Sequence, residues 1–364
     1  MPAIAVTMKR VSAQSEPLTS IQLRKVLFGG CRKFGRSLLL VGFTATGVLA
    51  APDTALLDAI KEPIILKGDS HTAYRDPLLI YHDQKFYLYS SYVKEDPDHR
   101  IYWYVALSTS PDLQHWSESR ILTPKDQNLN YSSPGSIVRV GADWIMCLQT
   151  YPIAPFKRGD QLRWGDNRCR LFTMRSRDLQ TWSAPELLMV KGPDVSREAM
   201  PHLIDPFLLL DKDVPDQWWC FYKENGQIHA SKSLDLKTWF PTESFVDHQE
   251  NQENPCILVD HGEYVLFYSP KNGIGVRRST DLVHWQEDGP PITLGQRYWP
   301  WAETRLTAGY VEDLRQIPGV GRYVMVCHSM GPGKVKTDAN VNANCSVVIA
   351  WSSDLKIWHW PGEK

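Results

Sequence analysis

The sequence is short of net charge, of apolar runs long enough to span a bilayer comfortably, and of cysteines spaced for a metal or redox site. Lysine and arginine total 40 against 41 aspartates and glutamates, a formal charge of −1. That balance gives no electrostatic footing for nucleic acid or for a membrane surface, so the expected partner is neutral. Six of the seven cysteines (Cys147, Cys169, Cys220, Cys256, Cys327 and Cys345) lie inside apolar, strand-like runs such as Trp219-Cys220-Phe221. Their spacing matches no zinc or redox motif, and they read as small buried hydrophobes. The alternative is a pair of bridges, Cys147 to Cys169 and Cys327 to Cys345, which an even number in an exported chain permits.

The first 50 residues read apart from the rest. Arg24, Lys25, Arg32, Lys33 and Arg36 form a basic region, followed by the apolar run from Leu38 to Phe43 and on to Val48-Leu49-Ala50. That run is short for a membrane span and ends in small residues before Ala51-Pro52, the layout of a signal peptide cleaved near Ala50. The basic region is long for such a peptide, so Met8 is a candidate start, and an uncleaved anchor is the alternative. The expected organisation is a signal peptide over 1–50, an extension over 51–69 and one catalytic domain over 70–364. The mature protein is expected to be secreted or periplasmic, free of the membrane after cleavage. No oligomeric state is written in the sequence.

Aromatic residues are abundant: 14 tryptophans and 15 tyrosines. Large side chains with one polar edge suit both a β-rich core and the faces of sugars. A short pattern, Ser-x-Asp-Leu-x-x-Trp, recurs five times, ending at Trp116, Trp182, Trp239, Trp285 and Trp358. Upstream of each copy stand an apolar run, a polar turn, and further runs rich in Tyr, Phe, Trp and Val. In the first copy these are Pro77 to Tyr81, His82 to Lys85, Phe86 to Tyr89 and Ile101 to Val105. Short β-branched and aromatic runs between turn residues are strands of a meander. The Ser-x-Asp segment makes the next turn through local side-chain hydrogen bonds, and the Trp is expected to begin the outermost strand. Units of about 40–50 residues with about four strands each are propeller blades. The fold class is therefore all-β: a single-domain, five-bladed β-propeller. A β-sandwich does not account for a turn repeated five times.

The first strand of each blade lines the central axis, so residues at the starts of those strands converge. Prolines align four of them: Arg75-Asp76-Pro77, Ser132-Ser133-Pro134, Ile204-Asp205-Pro206 and Glu253-Asn254-Pro255. Blade five is matched at Val311-Glu312-Asp313-Leu314, which breaks the rule. Asp76 and Asp205 hold one structural position in two blades, and Glu253 sits one residue earlier in a third. Like charges brought together and partly buried raise one another's pKa, which places a protonated acid beside an ionised base. Glycoside hydrolysis needs such a pair. A single Asp-Pro before a strand is usually just a turn; three acids in register are not so easily explained.

These short motifs, in this order, resemble glycoside hydrolase family 43 over essentially the whole mature chain. The resemblance implies hydrolysis with inversion of arabinose- or xylose-containing oligo- or polysaccharides. It also implies Asp76 as general base, Asp205 as the residue that tunes the acid's pKa, and Glu253 as general acid. No cofactor is required. A structural cation in the axial channel near a blade-five histidine is implied, with His328 as the matching residue and calcium as the natural ion; the alternative is a satisfied core histidine. Arg75 is placed to hydrogen-bond sugar hydroxyls or to keep Asp76 ionised. The segment Tyr298 to Arg305 is expected to lie over the pocket, with Trp301 and Arg305 binding substrate, although packing between blades explains Trp301 equally well. Glu303, Glu312 and Asp313 are expected as spare acids near the same mouth. The insert from Tyr151 to Asn167 is expected to wall one side, favouring short substrates and exo action.

Three other readings stand beside this one. The invertase-like family also has five blades and an Asp, Asp, Glu set, but it opens on Asn-Asp-Pro-Asn-Gly and carries a C-terminal β-sandwich. Here Arg75 precedes Asp76, and Leu78-Leu79 replaces Asn-Gly. A carbohydrate-binding propeller without catalysis would not need an acid at Glu253, and an interaction scaffold would need none of the three.

Overall fold

The computed structural model describes residues 53–160, 168–243, 251–331 and 344–363. The expected signal peptide lies outside the described residues.

Five antiparallel sheets make five blades, and nearly no helix interrupts them. Blade one is Thr72–His82, Lys85–Glu95, Ile101–Ser110 and Arg120–Ile121. Blade two is Tyr131–Val140, Asp143–Thr150, Leu171–Ser176 and Glu186–Leu187. Blade three is Ile204–Leu210, Trp218–Glu224, Gln227–Ser233 and Phe240–Pro241. Blade four is Glu253–Asp260, Glu263–Ser269, Gly275–Ser279 and Gln286–Glu287. Blade five takes Arg305–Asp313, Tyr323–Met330 and Ser346–Ser352. Its third strand pairs both with Trp358–His359 and with Ile64–Leu66 from far upstream. Part of the extension expected over 51–69 therefore belongs to the propeller, and the blade boundary at residue 70 is too late. A short helix, Ala55–Ala59, precedes that strand and plugs Leu57 into the core with no exposure.

The repeated motif forms the same turn each time. In the first, the Asp112 carboxylate accepts the backbone N–H groups of Gln114 and His115 at 3.0 and 2.8 Å. Asp178, Asp235, Asp281 and Asp354 do the same in their copies. The following leucine sits in the left-handed region in all five (Leu113, Leu179, Leu236, Leu282 and Leu355, φ from 59° to 66°). Such a backbone costs a branched residue roughly 1–2 kcal/mol. Burying the side chain returns roughly 1.5–3 kcal/mol, and all but Leu236 are essentially fully buried. Trp116 and Trp358 close their turns by donating Nε1–H to the carbonyls of Leu113 and Leu355. The tryptophan starts the outer strand only in blade five; in blade one the strand begins at Arg120.

Large side chains fill the spaces between sheets, among them Trp219, Phe221, Tyr264, Phe267 and Tyr323. The six cysteines are buried, as the hydrophobic reading expects, and neither candidate bridge forms.

Candidate active site

Each innermost strand carries a bulge near its start, where the ladder to the second strand slips. At each bulge one residue has positive φ: Asp76 (46°), Ser133 (43°), Asp205 (54°), Asn254 (52°) and Ala308 (54°). Proline follows the first four. It lacks an N–H, and a bulge is where the ladder does not ask for one. Blade five is thus aligned by Ala308-Gly309, not by Val311-Glu312. Its bulge lacks the proline that marks the other four, and the acid that blades one and three carry there.

Backbone strain of this kind persists where surroundings hold it, and here each bulge is held by the preceding blade. The N–H of Ser133 donates to Ser91 Oγ at 2.7 Å, that of Asp205 to Gln149 Oε1 at 2.6 Å, and that of Ala308 to Ser269 Oγ at 2.7 Å. The N–H of Asp76 donates to Nδ1 of His328 at 3.1 Å, closing the circle from blade five to blade one. These four acceptors occupy one column on the second strands, opposite Arg75, Ser132, Glu253 and Thr307. The fifth place in that column, opposite Ile204, is Lys223. An ammonium cannot accept a hydrogen bond. The N–H of Asn254 turns instead to the Asp205 carboxylate at 3.3 Å, and Lys223 reaches across to Glu253 at 2.6 Å.

Above the bulges opens a pocket of about 360 Å³, within the range of small-ligand sites. Asp76, Asp205 and Glu253 all line it, as the proline alignment anticipates, and so do Arg75 and Arg305. Below them the channel narrows to about 30 Å³ between the bulge prolines, room for about one water.

Asp76 accepts the Ser91 hydroxyl at 2.8 Å, and the same hydroxyl holds the Ser133 N–H. Burial, then the charge of Glu253, pushes the Asp205 carboxyl well above the ordinary range; Lys223 opposes this, and Asp76 adds to it. Burial alone would raise Glu253 too, but Arg305 and Lys223 outweigh it and hold that carboxyl ionised. Both cations pair with it directly. The two carboxyls are thus driven in opposite directions, Asp205 towards its protonated form and Glu253 towards its ionised one.

His328 is fully buried. Burial and the Arg75 and Arg305 cations keep it neutral. Its Nδ1 is taken by the Asp76 N–H, and its Nε2 faces Arg75 Nε at 3.4 Å. A guanidinium at that distance does not suit a cation on the ring. Among the described residues no three His, Cys, Asp or Glu side chains cluster to hold a metal. The calcium expected here does not fit these residues.

Trp301 is placed elsewhere. It stacks on Trp299 at 4.7 Å and packs against the core, so the packing alternative describes it better than a role over the pocket. The aromatics that line the pocket are Trp103 and Tyr151, stacked on each other at 5.1 Å. Glu312 and Asp313 stand at the far end of their strand from the pocket, and Glu303 does not line it. The described part of the insert, 151–160, is tied to blade one: Arg158 pairs with Glu95 at 2.7 Å, and Ile153 and Phe156 pack beside Trp103. Tyr151 thereby walls the pocket, while 161–167 lie outside the described residues. Lys223, Trp103, His202 and Asn251 were not singled out from sequence. Lining up the second strands would have exposed Lys223 as the one cation in its column.

The fold and the site together define a five-bladed propeller with three carboxylates gathered in an axial pocket that narrows to a channel below. No protein-family model matches the sequence, and no curated protein matches it. Solved structures do. A xylan β-1,4-xylosidase of Bacillus halodurans superposes with a TM-score of 0.56 at 14% identity, over 83% of this chain and 56% of its own. A thermostable family-43 glycoside hydrolase gives 0.55 at 14%, over 84% of this chain and 96% of its own. A GH32 β-fructofuranosidase of Bombyx mori gives 0.55 at 15%, over 82% and 64%. The chain thus spans little more than half the xylosidase. At such identities the likeness establishes the fold, and the resemblance to five-bladed glycoside hydrolases read from the motifs holds at that level.

Proposed function

We propose that the protein is a glycoside hydrolase that cleaves arabinose- or xylose-type bonds with inversion, acting outside the cytoplasm after loss of its leader. The observation that carries this reading is the convergence of Asp76, Asp205 and Glu253, from three blades, on one pocket. Asp76, oriented by Ser91 and by the His328-anchored backbone, takes a proton from the attacking water. Glu253 protonates the leaving oxygen. In the free pocket it lacks that proton, so Lys223 and Arg305 must turn from it to the glycan. Asp205 then hands over the proton that it holds, which is how it tunes the acid.

The test is hydrolysis of 4-nitrophenyl α-L-arabinofuranoside and β-D-xylopyranoside, with proton NMR of the anomer first released. Asp76→Asn and Glu253→Gln should each lower kcat by on the order of 10²–10⁴-fold, and the first product should show inverted configuration. Retention would support the fructosidase-like alternative, whose fold superposes equally well. The double clamp on Glu253 is the observation that favours a binding propeller instead. Sugar binding without hydrolysis of any glycoside would establish that reading and remove the catalytic one.

A further inference from the structure

The pocket has two unlike walls. Blades three and four present the carboxyls of Asp205 and Glu253 with Lys223 between them; blades one and five present Arg75, Arg305 and Thr307, with Asp76 at the floor. Glu253 engages Lys223 and a terminal nitrogen of Arg305. Arg75 is differently placed. Its neighbour Asp76 is served by Ser91, and no described carboxylate lies within ion-pair distance of the Arg75 guanidinium. That group lies over the Trp103 ring, 5.4 Å from its centre, with Nε against His328. Its two terminal nitrogens have no protein acceptor among the described residues. In the same wall Arg305 Nε and Thr307 Oγ1 are buried without a partner, and Thr307 is 1% exposed. A cation serving only to balance Asp76 would sit on it. Instead the fork rests on the Trp103 face and leaves its outer edge to the pocket.

A planar fork with free parallel N–H groups matches a planar carboxylate. We propose that Arg75 receives a carboxylate of the ligand, so that among xylose- and arabinose-type rings the pocket prefers those that carry a carboxylate on carbon 5. This rests on reading the pocket as a glycan site, and it refines that reading with little change of ring. D-Glucuronic acid carries the hydroxyls of D-xylose plus a carboxylate on carbon 5, and D-galacturonic acid relates in the same way to L-arabinopyranose.

The experiment is titration calorimetry of the full chain with each uronate against its matched pentose, for the wild type, Arg75→Lys and Arg75→Gln. Each uronate should bind at least about tenfold tighter than its pentose to the wild type. The preference should shrink in Arg75→Lys and vanish in Arg75→Gln, with circular dichroism confirming the fold. Equal affinities in the wild type, or a preference unchanged in Arg75→Gln, would overturn the inference while leaving the glycosidase reading intact. If none of the four sugars binds at about 10 mM and no aryl glycoside is hydrolysed, both readings fall.

Discussion

Glu253 and Glu312 are two carboxyls on the inner strands of adjacent blades, and their charge states run in opposite directions. Glu253 has two cations on it and stays ionised. Glu312 has only the Tyr310 hydroxyl, at 3.5 Å, and burial pushes it up to about 8. The folded protein therefore holds a proton on Glu312 that the unfolded chain releases near 4.5. Its contribution to stability is fully present below that pH and is lost as pH rises towards about 8. Thermal midpoints measured from pH 4.5 to 8 should fall, and Glu312→Gln should flatten the fall. A variant with the wild-type slope would show that Glu312 is charged throughout. Asp205 is raised as well, so some slope remains in the variant.

Among elements, the ring of bulges decides where the carboxyls point. Its weak members are the buried N–H groups that depend on a single acceptor. Ser269→Ala removes the acceptor of the Ala308 N–H without touching a carboxylate. An orphaned buried donor should cost about 1–3 kcal/mol in urea unfolding; a loss below about 0.5 kcal/mol would mean that the ring is not holding the bulge. Gly135 marks how closely adjacent inner strands approach, since a Cβ there would lie 1.5 Å from the Pro206 carbonyl oxygen. Much of this ring is legible in the sequence, because Pro77, Pro134, Pro206 and Pro255 mark the places where the ladder needs no donor. Blade five was misaligned because Ala308-Gly309 adopts the same backbone with neither proline nor acid. Lys223 was missed for a related reason. Its importance comes from what the other four blades place in its column, and no local pattern carries that. For Trp301 the sequence leaves a sugar platform and packing equally open; its stacking on Trp299 and the approach of Gly331 to its backbone decide for packing.

For the whole molecule, five turn motifs, each preceded by strand-like runs, were enough to read the architecture, since units of about four strands at that spacing are propeller blades. How the ring closes was not readable. Ile64–Leu66 is too short to stand out as a strand, and it gains its identity only by pairing with Ser346–Ser352. A chain starting at residue 70 loses that strand and the buried Leu57, Ile60 and Leu66. At roughly 1.5–3 kcal/mol per buried side chain, it should be on the order of 5 kcal/mol less stable than one starting at residue 53. Equal urea midpoints would show that blade five is complete without its upstream strand.

That closure also sets a timetable. Asp76 belongs to the first blade to be synthesised, yet the group that fixes its backbone, His328, belongs to the last. Blade five in turn is completed only when residues 346–352 meet residues 64–66. While the ribosome is still making blades two to four, blade one has a bulge with nothing to rest on, and long-range pairings of this kind form late. A nascent chain can therefore carry all three carboxyls and still lack the finished pocket, which is complete only when the first and last blades meet.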